Sequence, residues 1–386
     1  MGTRRIFISD IHMGDPKSPP SGQHSYVWFI KNAPLLEKFL EKQFNDSDVS
    51  QVIILGDLFD QWIIPASCPT NRLGDICSNN TNEKVVAQLR ALAGAKKLTY
   101  VPGNHDMAMD TAGISNTKRF MEDNFKDVTL ILDEDGFPLG KYEWEEWKLI
   151  AEHGNRYCLF NAPDAGTKQG ESFLPLGYFI SRLVAYRTLM KGNEENLLDT
   201  IIKFLGDHHH PQFIERMIDA IASDCDFKGG MNLIDIPGYG GTTTTPDQIG
   251  QFFHGLKSRW GKVPGTEKVN ADLAISGDTG DLNLAADKVF LYPDSETKVV
   301  IFGHTHYPAM EPNNVRSDVQ SDNAPDPNQT AFDRIYANCG TWVDKSRNGC
   351  TYVETEEEAD RLYVRVKAYT ENSDTVMPGF EGFVEI

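Results

Sequence analysis

The chain is short of long apolar runs, of paired cysteines and of positive charge. None of its 386 residues falls in a stretch long and apolar enough to span a bilayer. Its six cysteines (Cys68, Cys77, Cys158, Cys225, Cys339 and Cys350) form no Cys-x-x-Cys pair, which argues against a thiolate zinc site and a disulfide scaffold. Free, largely buried thiols are expected, with Cys68 and Cys77 the one pair placed to meet across a single loop. Lysine and arginine total 37 against 56 aspartates and glutamates, a formal charge of −19. That balance argues against a broad phosphate-tracking surface, so no long nucleic acid is expected as a partner. A small anionic substrate stays compatible, because bound cations can invert the local field of an acidic protein. The first strand-like run starts so close to Met1 that no charged start and apolar signal region fits ahead of it, and the expectation is a cytoplasmic chain. No internal repeat is present.

What is present reads as a globular α/β chain, 40% hydrophobic and 24% charged. Residues 4–9, 51–55, 97–101, 147–151 and 298–302 are short runs of Ile, Val, Leu and Phe bounded by Gly, Pro or polar residues, the signature of buried strands. Between the first three lie amphipathic helical patterns at Ala33–Phe44 and Glu83–Ala93. Alternating strands and helices predict a layered α/β architecture with functional residues gathered at the carboxyl ends of strands. The stretch 155–295 has another texture: helical patterns at Leu176–Met190, Leu197–Ala222 and Gln248–Arg259, and a loop at Gly229–Thr245. It is expected to be a mostly helical cap inserted into a discontinuous catalytic core of 1–154 and 296–386. A polar loop at Asn313–Thr330 and strands at Arg334–Asn338, Thr351–Glu354 and Arg361–Tyr369 are expected to close the fold.

Each of the five principal strands ends in metal-ligand chemistry. In order these are Asp10-Ile11-His12, Gly56-Asp57-Leu58-Phe59-Asp60, Gly103-Asn104-His105-Asp106, His153-Gly154 and Gly303-His304-Thr305-His306. Residues two apart on a strand project to one side, so Asp10 with His12, and His304 with His306, can face one site. Asp10, His12, Asp57, Asn104, His153, His304 and His306 together exceed what one ion can use, and two ions sharing Asp57 is the economical arrangement. Imidazole mixed with carboxylate favours Mn²⁺, with Fe or Zn²⁺ compatible, over Ca²⁺ or Mg²⁺.

These five blocks, in this order, resemble the signature of the calcineurin-like metallophosphoesterases over roughly residues 5–345. The resemblance implies a four-layer α-β-β-α sandwich and a dinuclear centre. Asp10, His12, Asp57 and His306 would hold the first ion, and Asp57, Asn104, His153 and His304 the second. Such a pair activates a bridging water and clamps phosphoryl oxygens during hydrolysis of a phosphoester or pyrophosphate bond. His105, assigned no metal, is left as the general acid, with Asp106 orienting it and Asp60 supporting the ligands from behind.

GDLFDQW, the helical insertion after His153-Gly154 and the later Asn338-Cys339-Gly340-Thr341-Trp342 are similar to enzymes related to UDP-2,3-diacylglucosamine pyrophosphohydrolase. In that group the His-Gly pair is commonly followed by Asp; here Asn155-Arg156-Tyr157-Cys158 follows, and the insertion is longer. The expected partner is a small phosphorylated substrate, nucleotide-linked or lipid-linked. A cyclic-nucleotide or other phosphodiesterase is the alternative, ahead of a metal-free scaffold or a nuclease. Arg156, Arg182 and Arg187 are candidates for contacting a substrate phosphate. His24, His254 and His208–His210 read as ordinary surface, helix or turn histidines.

Overall fold

The computed structural model describes residues 3–16, 28–66, 68, 72–107, 114–133, 139–163, 174–191, 210, 212–224, 234–235, 243–278, 280–315, 331–344 and 346–386. A seven-stranded sheet has the order β14-β13-β12-β1-β2-β3-β4. Here β1 is Arg4–Ile8, β2 Val49–Leu55, β3 Leu98–Val101, β4 Thr129–Leu130, β12 Cys350–Glu358, β13 Arg361–Tyr369 and β14 Asp374–Glu385. Strands β1 to β4 are parallel, and β12 runs antiparallel to β1. A second, five-stranded sheet has the order β10-β11-β9-β6-β5. Its strands are β5 Tyr142–Trp144, β6 Leu149–Ala151, β9 Val299–Phe302, β10 Pro308–Val315 and β11 Phe332–Cys339. Strands β6, β9 and β11 are parallel, with β5 and β10 antiparallel at the edges.

Period-two alternation sorts the side chains of these strands into three layers of core. Phe7, Ile53 and Leu55 point inward and meet Val299, Ile301, Leu149 and Ala151 of the other sheet. The residues between them, Ile6, Ile8, Val52 and Ile54, point outward onto α1 (Ala33–Asn45) and α3 (Glu83–Gly94). The helices present Leu36, Phe39, Leu40, Val85, Val86, Leu89 and Leu92 to them, positions three and four apart on one face. On the far side, Val300, Phe302 and Tyr336 face an apolar cluster drawn from the inserted stretch. Helix, sheet, sheet, helix is the expected four-layer order.

Within the inserted stretch, α5 (Leu176–Lys191), α6 (Phe213–Asp224), α7 (Pro246–Phe252), α8 (Leu256–Arg259), α9 (Ala271–Asp278) and α10 (Leu282–Val289) are helical. Tyr178, Phe179, Met217, Ile221, Ile249, Ile275 and Leu282 share one core with Phe302 and Tyr336, and with Trp62, Ala66 and Met107 from the loops at the strand ends. The stretch thus serves as the outer helical layer of the second sheet.

Several expected elements differ in detail. Gln248–Arg259 is two helices, the first ending at Phe252 and the second starting after Gly255, which takes φ +69°; α7 starts earlier, at a capping box of Thr245 with Gln248. Of Leu197–Ala222, residues 197–209 lie outside the described ones, and the helix that is described continues to Asp224. Of the loop Gly229–Thr245, the described pairs Ile234–Asp235 and Thr243–Thr244 form a small antiparallel ribbon, β7 and β8. Asn313–Val315 end strand β10, and the rest of Asn313–Thr330 lies outside the described residues. Strand β12 runs past the expected end at Glu354 through Thr355–Glu358; the reversal is at Ala359, with φ +56°. Cys68 and Cys77 are both free thiols.

Candidate metal centre

Parallel strands β1, β2 and β3 of one sheet and β6 and β9 of the other all end at the same edge of the sandwich. The five blocks follow those ends directly. The first two loops are zipped by backbone bonds: Ile11 and His12 amides donate to the Asp57 carbonyl at 3.0 and 2.9 Å, and the Met13 amide to Leu58 at 2.9 Å. From below, the Thr341 hydroxyl and Trp342 amide donate to the Asp10 carbonyl, and the Asn338 amide group to the Gly303 carbonyl. The Asn-Cys-Gly-Thr-Trp block is therefore a brace for two ligand turns.

The pairing of Asp10 with His12, and of His304 with His306, does not come from strand pleating. Strand β1 stops at Ile8 and β9 at Phe302. All four residues, and Asp57 with them, adopt left-handed backbone with φ between +53° and +70°. Two successive sharp turns, rather than an extended segment, aim each pair.

The side chains gather into two groups whose ligand atoms lie within 4.8 Å of one another, Asp10 with His12 and His306, and Asp57 with His153 and His304. In the first, His12 Nε2 faces His306 Nε2 at 3.0 Å, and Asp10 Oδ1 is 3.2 Å from His306 Nε2. In the second, His153 Nε2 is 3.0 Å from Asn104 Oδ1 and 3.3 Å from Asp57 Oδ2. The same Asp57 oxygen is 3.6 Å from His12 Nε2, so it stands between the groups.

Supporting contacts set which atoms face inward. Asp10 Oδ2 accepts from the His304 amide at 2.8 Å and from Ser9, leaving Oδ1 aimed into the group. His153 Nδ1 donates to the Leu55 carbonyl at 2.8 Å, which fixes Nε2 as the free ligand nitrogen. His12 Nδ1 is 3.3 Å from Asp60 Oδ2, a charge contact that favours the same orientation.

Burial disfavours charge throughout the centre, yet the groups charge one another. The His12 imidazole, lowered by burial, is pushed up to about 10 by Asp10, Asp60 and Asp57; His153 is pushed up to about 9 by Asp57 and Asp10. Asp10, Asp57 and Asp60, raised by burial, are nevertheless held below the usual carboxylate range by the facing imidazoles. His304, by contrast, is pushed down to about 3 by burial and the neighbouring His153.

His105 lies with its ring stacked on Trp62, centroids 4.3 Å apart, and Nδ1 3.2 Å from Asp60 Oδ1. The carboxylate beside its Nδ1 is thus Asp60, where Asp106 was expected. Asp106 instead accepts from the amides of Phe59 at 2.8 Å and Gly103 at 2.9 Å, tying the second block to the third. Burial and the Asp57 charge push its carboxyl up to about 6.

The three arginines expected at a substrate phosphate are buried, each with a protein group beside its guanidinium. Arg156 pairs with Glu152 at 2.7 Å and donates to the Pro264 carbonyl. Arg182, wholly buried, donates to the Cys68 carbonyl, and Arg187 pairs with Asp224. His254 is exposed beside Glu215; His24, His208 and His209 lie outside the described residues. Sequence reasoning passed over Trp28, whose ring is 5.2 Å from that of His12 and 5.8 Å from that of His306. No motif marks it, since it precedes α1 and reaches the centre only through the tertiary fold.

The sequence pattern described as calcineurin-like phosphoesterase matches residues 3–308. The chain belongs to the calcineurin-like phosphoesterase family. It is accordingly a metal-dependent hydrolase acting on phosphoester bonds. A dimetal phosphatase from Danio rerio is a similar solved structure, with TM-score 0.43 and 10% identity over 97% of this chain and 98% of that one. No curated protein matches the chain. Among the described residues of this phosphoesterase no helix is long and apolar enough to cross a membrane. Its donor set fits a pair of divalent ions. Asp10 Oδ1 is buried without a hydrogen-bond donor, and imidazole nitrogens face each other at the spacing of shared ligands rather than of packed rings.

Proposed function

We propose that this phosphoesterase is a dinuclear hydrolase of small phosphoesters or pyrophosphates. Asp10, His12, Asp57 and His306 would hold one ion, and Asp57, Asn104, His153 and His304 the other. The observation that carries this reading is the position of Asp57 Oδ2, within 3.6 Å of a ligand nitrogen in each group. Bound divalent ions supply Lewis acidity and an activated water. Four imidazoles with carboxylates and one amide oxygen suit Mn²⁺, Fe or Zn²⁺, and Mn²⁺ is our choice.

The chain's own residues do the rest. With Nδ1 held by Asp60, His105 keeps Nε2 for handing a proton to the leaving oxygen. Trp62 beneath the ring keeps it from swinging away. The inserted stretch reaches the centre through Asn161, whose side chain accepts from Asn104, and through Tyr178, which packs edge-on to Trp62. We read it as both a structural layer and the wall that selects the substrate, a phosphate linked to a nucleotide or a lipid.

Two measurements test this reading. Metal analysis of the purified protein is expected to find two divalent ions per chain, and Asp57→Asn to lose both. Turnover of bis-p-nitrophenyl phosphate against the monoester distinguishes diester from monoester preference. A chain carrying no transition metal, with no turnover on adding Mn²⁺, would overturn the proposal.

A further inference from the structure

The ligand Asn104 is an amide, and only its oxygen can bind a cation. An amide side chain can turn about so that NH₂ and oxygen exchange places at little steric cost. Something must hold Asn104 with its oxygen toward the centre. The contacts form a chain. Asn104 Nδ2 donates to Asn161 Oδ1 at 3.5 Å, and Asn161 Nδ2 donates to Asp278 Oδ1 at 3.0 Å. The second Asp278 oxygen accepts from the Phe160 amide at 3.0 Å.

Burial pushes the Asp278 carboxyl up to about 8, yet both its oxygens are used as acceptors, Oδ1 by Asn161 Nδ2 and Oδ2 by the Phe160 amide, so Asn161 presents its NH₂ to Asp278. Asn161 must then present oxygen to Asn104, which in turn points its own oxygen at the ions. Asn161 is seated for this part. Its Oδ1 lies where a Cβ on Gly177 would come within 2.4 Å, and the Gly177 amide donates to the Phe160 carbonyl at 2.7 Å. Asn155 Nδ2 donates to the Asn161 carbonyl at 3.1 Å. Asp278 also has a carboxylate oxygen within 4.8 Å of a His304 nitrogen and of Cys158 Sγ. It therefore lies beside His304 directly and reaches Asn104 through Asn161, and both are assigned to the second ion.

We infer that Asp278 and Asn161, both from the inserted stretch, are positioning residues that set the polarity of Asn104 and so the affinity of the second ion. The inference rests on the assignment of Asn104 as a ligand. It means that the insertion contributes to metal retention as well as to covering the sheet.

The test is calorimetric titration of Mn²⁺ into metal-stripped protein, with thermal unfolding of each apo variant as the check on folding. Asp278→Asn can offer its oxygen to Phe160 and its NH₂ to Asn161, which reverses both amides. The second-ion Kd is expected to rise roughly 10- to 100-fold, the usual size of such supporting effects, with the first ion unaffected. Asn161→Leu, which removes both side-chain contacts without adding charge, should do the same and serves if Asp278→Asn does not fold. The exchanged pair Asn161→Asp with Asp278→Asn restores an acceptor toward Asn104 and a donor behind it, so second-ion affinity should return toward the wild type. Wild-type affinity in Asn161→Leu or Asp278→Asn, or an exchanged pair no better than Asp278→Asn, would overturn the inference. Asn104→Ala separates the two levels. Loss of the second ion there with none in Asn161→Leu refutes the relay alone, whereas two ions retained at wild-type affinity refute the ligand assignment.

Discussion

Asp60 is the residue at which the smallest change should have the most specific consequence. Its Oδ1 accepts from the amides of Trp62 and Ile63, both at 2.9 Å, and faces His105 Nδ1 at 3.2 Å; its Oδ2 faces His12 Nδ1 at 3.3 Å. In Asp60→Asn one oxygen becomes NH₂. Turning that NH₂ toward Trp62 and Ile63 would strand two buried amide donors, at about 1–3 kcal/mol each. The oxygen therefore stays with them and with His105, and the NH₂ falls opposite His12.

That contact is favourable only if His12 Nδ1 accepts, which moves the imidazole proton to Nε2. Nε2 is the nitrogen aimed at His306 and Asp10, and once protonated it cannot ligate. The expected result is a first-ion affinity lowered by roughly 10- to 100-fold, about 1.4–2.7 kcal/mol. Turnover at saturating metal should be largely kept, because His105 retains its partner. Calorimetric titration with Mn²⁺, alongside kcat measured over a metal series, reads both quantities. Wild-type metal affinity in Asp60→Asn would refute the tautomer argument, and a lost kcat with unchanged affinity would place the role of Asp60 on His105 instead.

His105→Ala should lower kcat by roughly 10²- to 10⁴-fold on an ester with a poor leaving group, and far less on a p-nitrophenyl ester that leaves without a proton; equal losses on both would sink the general-acid role. Gly103→Ala would put a Cβ 2.2 Å from Asp57 Oδ1 and 2.6 Å from the Asp57 nitrogen, displacing the shared carboxylate. It should cost about 1–3 kcal/mol in chemical denaturation and reduce bound metal, whereas Gly94→Ala, with open space around it, should do neither. Phe302→Ala removes the ring stacked 5.6 Å from Tyr157 at the junction of β9 and the inserted stretch, and is expected to cost about 3–5 kcal/mol by the same measurement. An undiminished denaturation midpoint would show that the stretch does not depend on this sheet face.

The parallel strands were legible because they are buried on both faces and read as unbroken apolar runs. Strand β14 was not, since Pro378, Gly379 and Gly382 interrupt any strand pattern, and Gly379 takes φ +81° within it. The candidate ligands were legible from residue type alone, but the partners of His105 and the arginines were not. Asp60 and Asp106 are both carboxylates near His105, and which one meets Nδ1 depends on how the second and third blocks cross. Asp106 lies adjacent in the chain yet is directed at backbone amides, while Asp60 arrives from another loop. The partners of the arginines were hidden for a related reason: residue type and spacing give a face but not the acceptor waiting opposite it. Trp28 and Asp278 carried no signature because neither belongs to a motif, and proximity brought about by the fold leaves no mark on local sequence.

The backbone explains why the ligands cluster where they do. Of the nine non-glycine residues with positive φ among those described, Asp10, His12, Asp57, His304 and His306 are candidate ligands. Left-handed backbone costs a residue with a Cβ roughly 1–2 kcal/mol, so five such positions represent a considerable local strain. Glycine would relieve it but bears no ligand atom. A parallel strand delivers its last residue pointing up or down from the sheet, and neither direction leads along the seam where the two sheets meet. A left-handed turn immediately after the strand redirects the side chain into that seam, and two in alternation place a pair of ligands on different groups, as with His304 and His306. The tight turns need bare backbone beside them, and Gly56, Gly103 and Gly303 supply it, each with a ligand side-chain atom within 2.8 Å of where its Cβ would stand. Glycine beside the ligand, rather than at the ligand, is how this chain reconciles the required turn with the required chemistry.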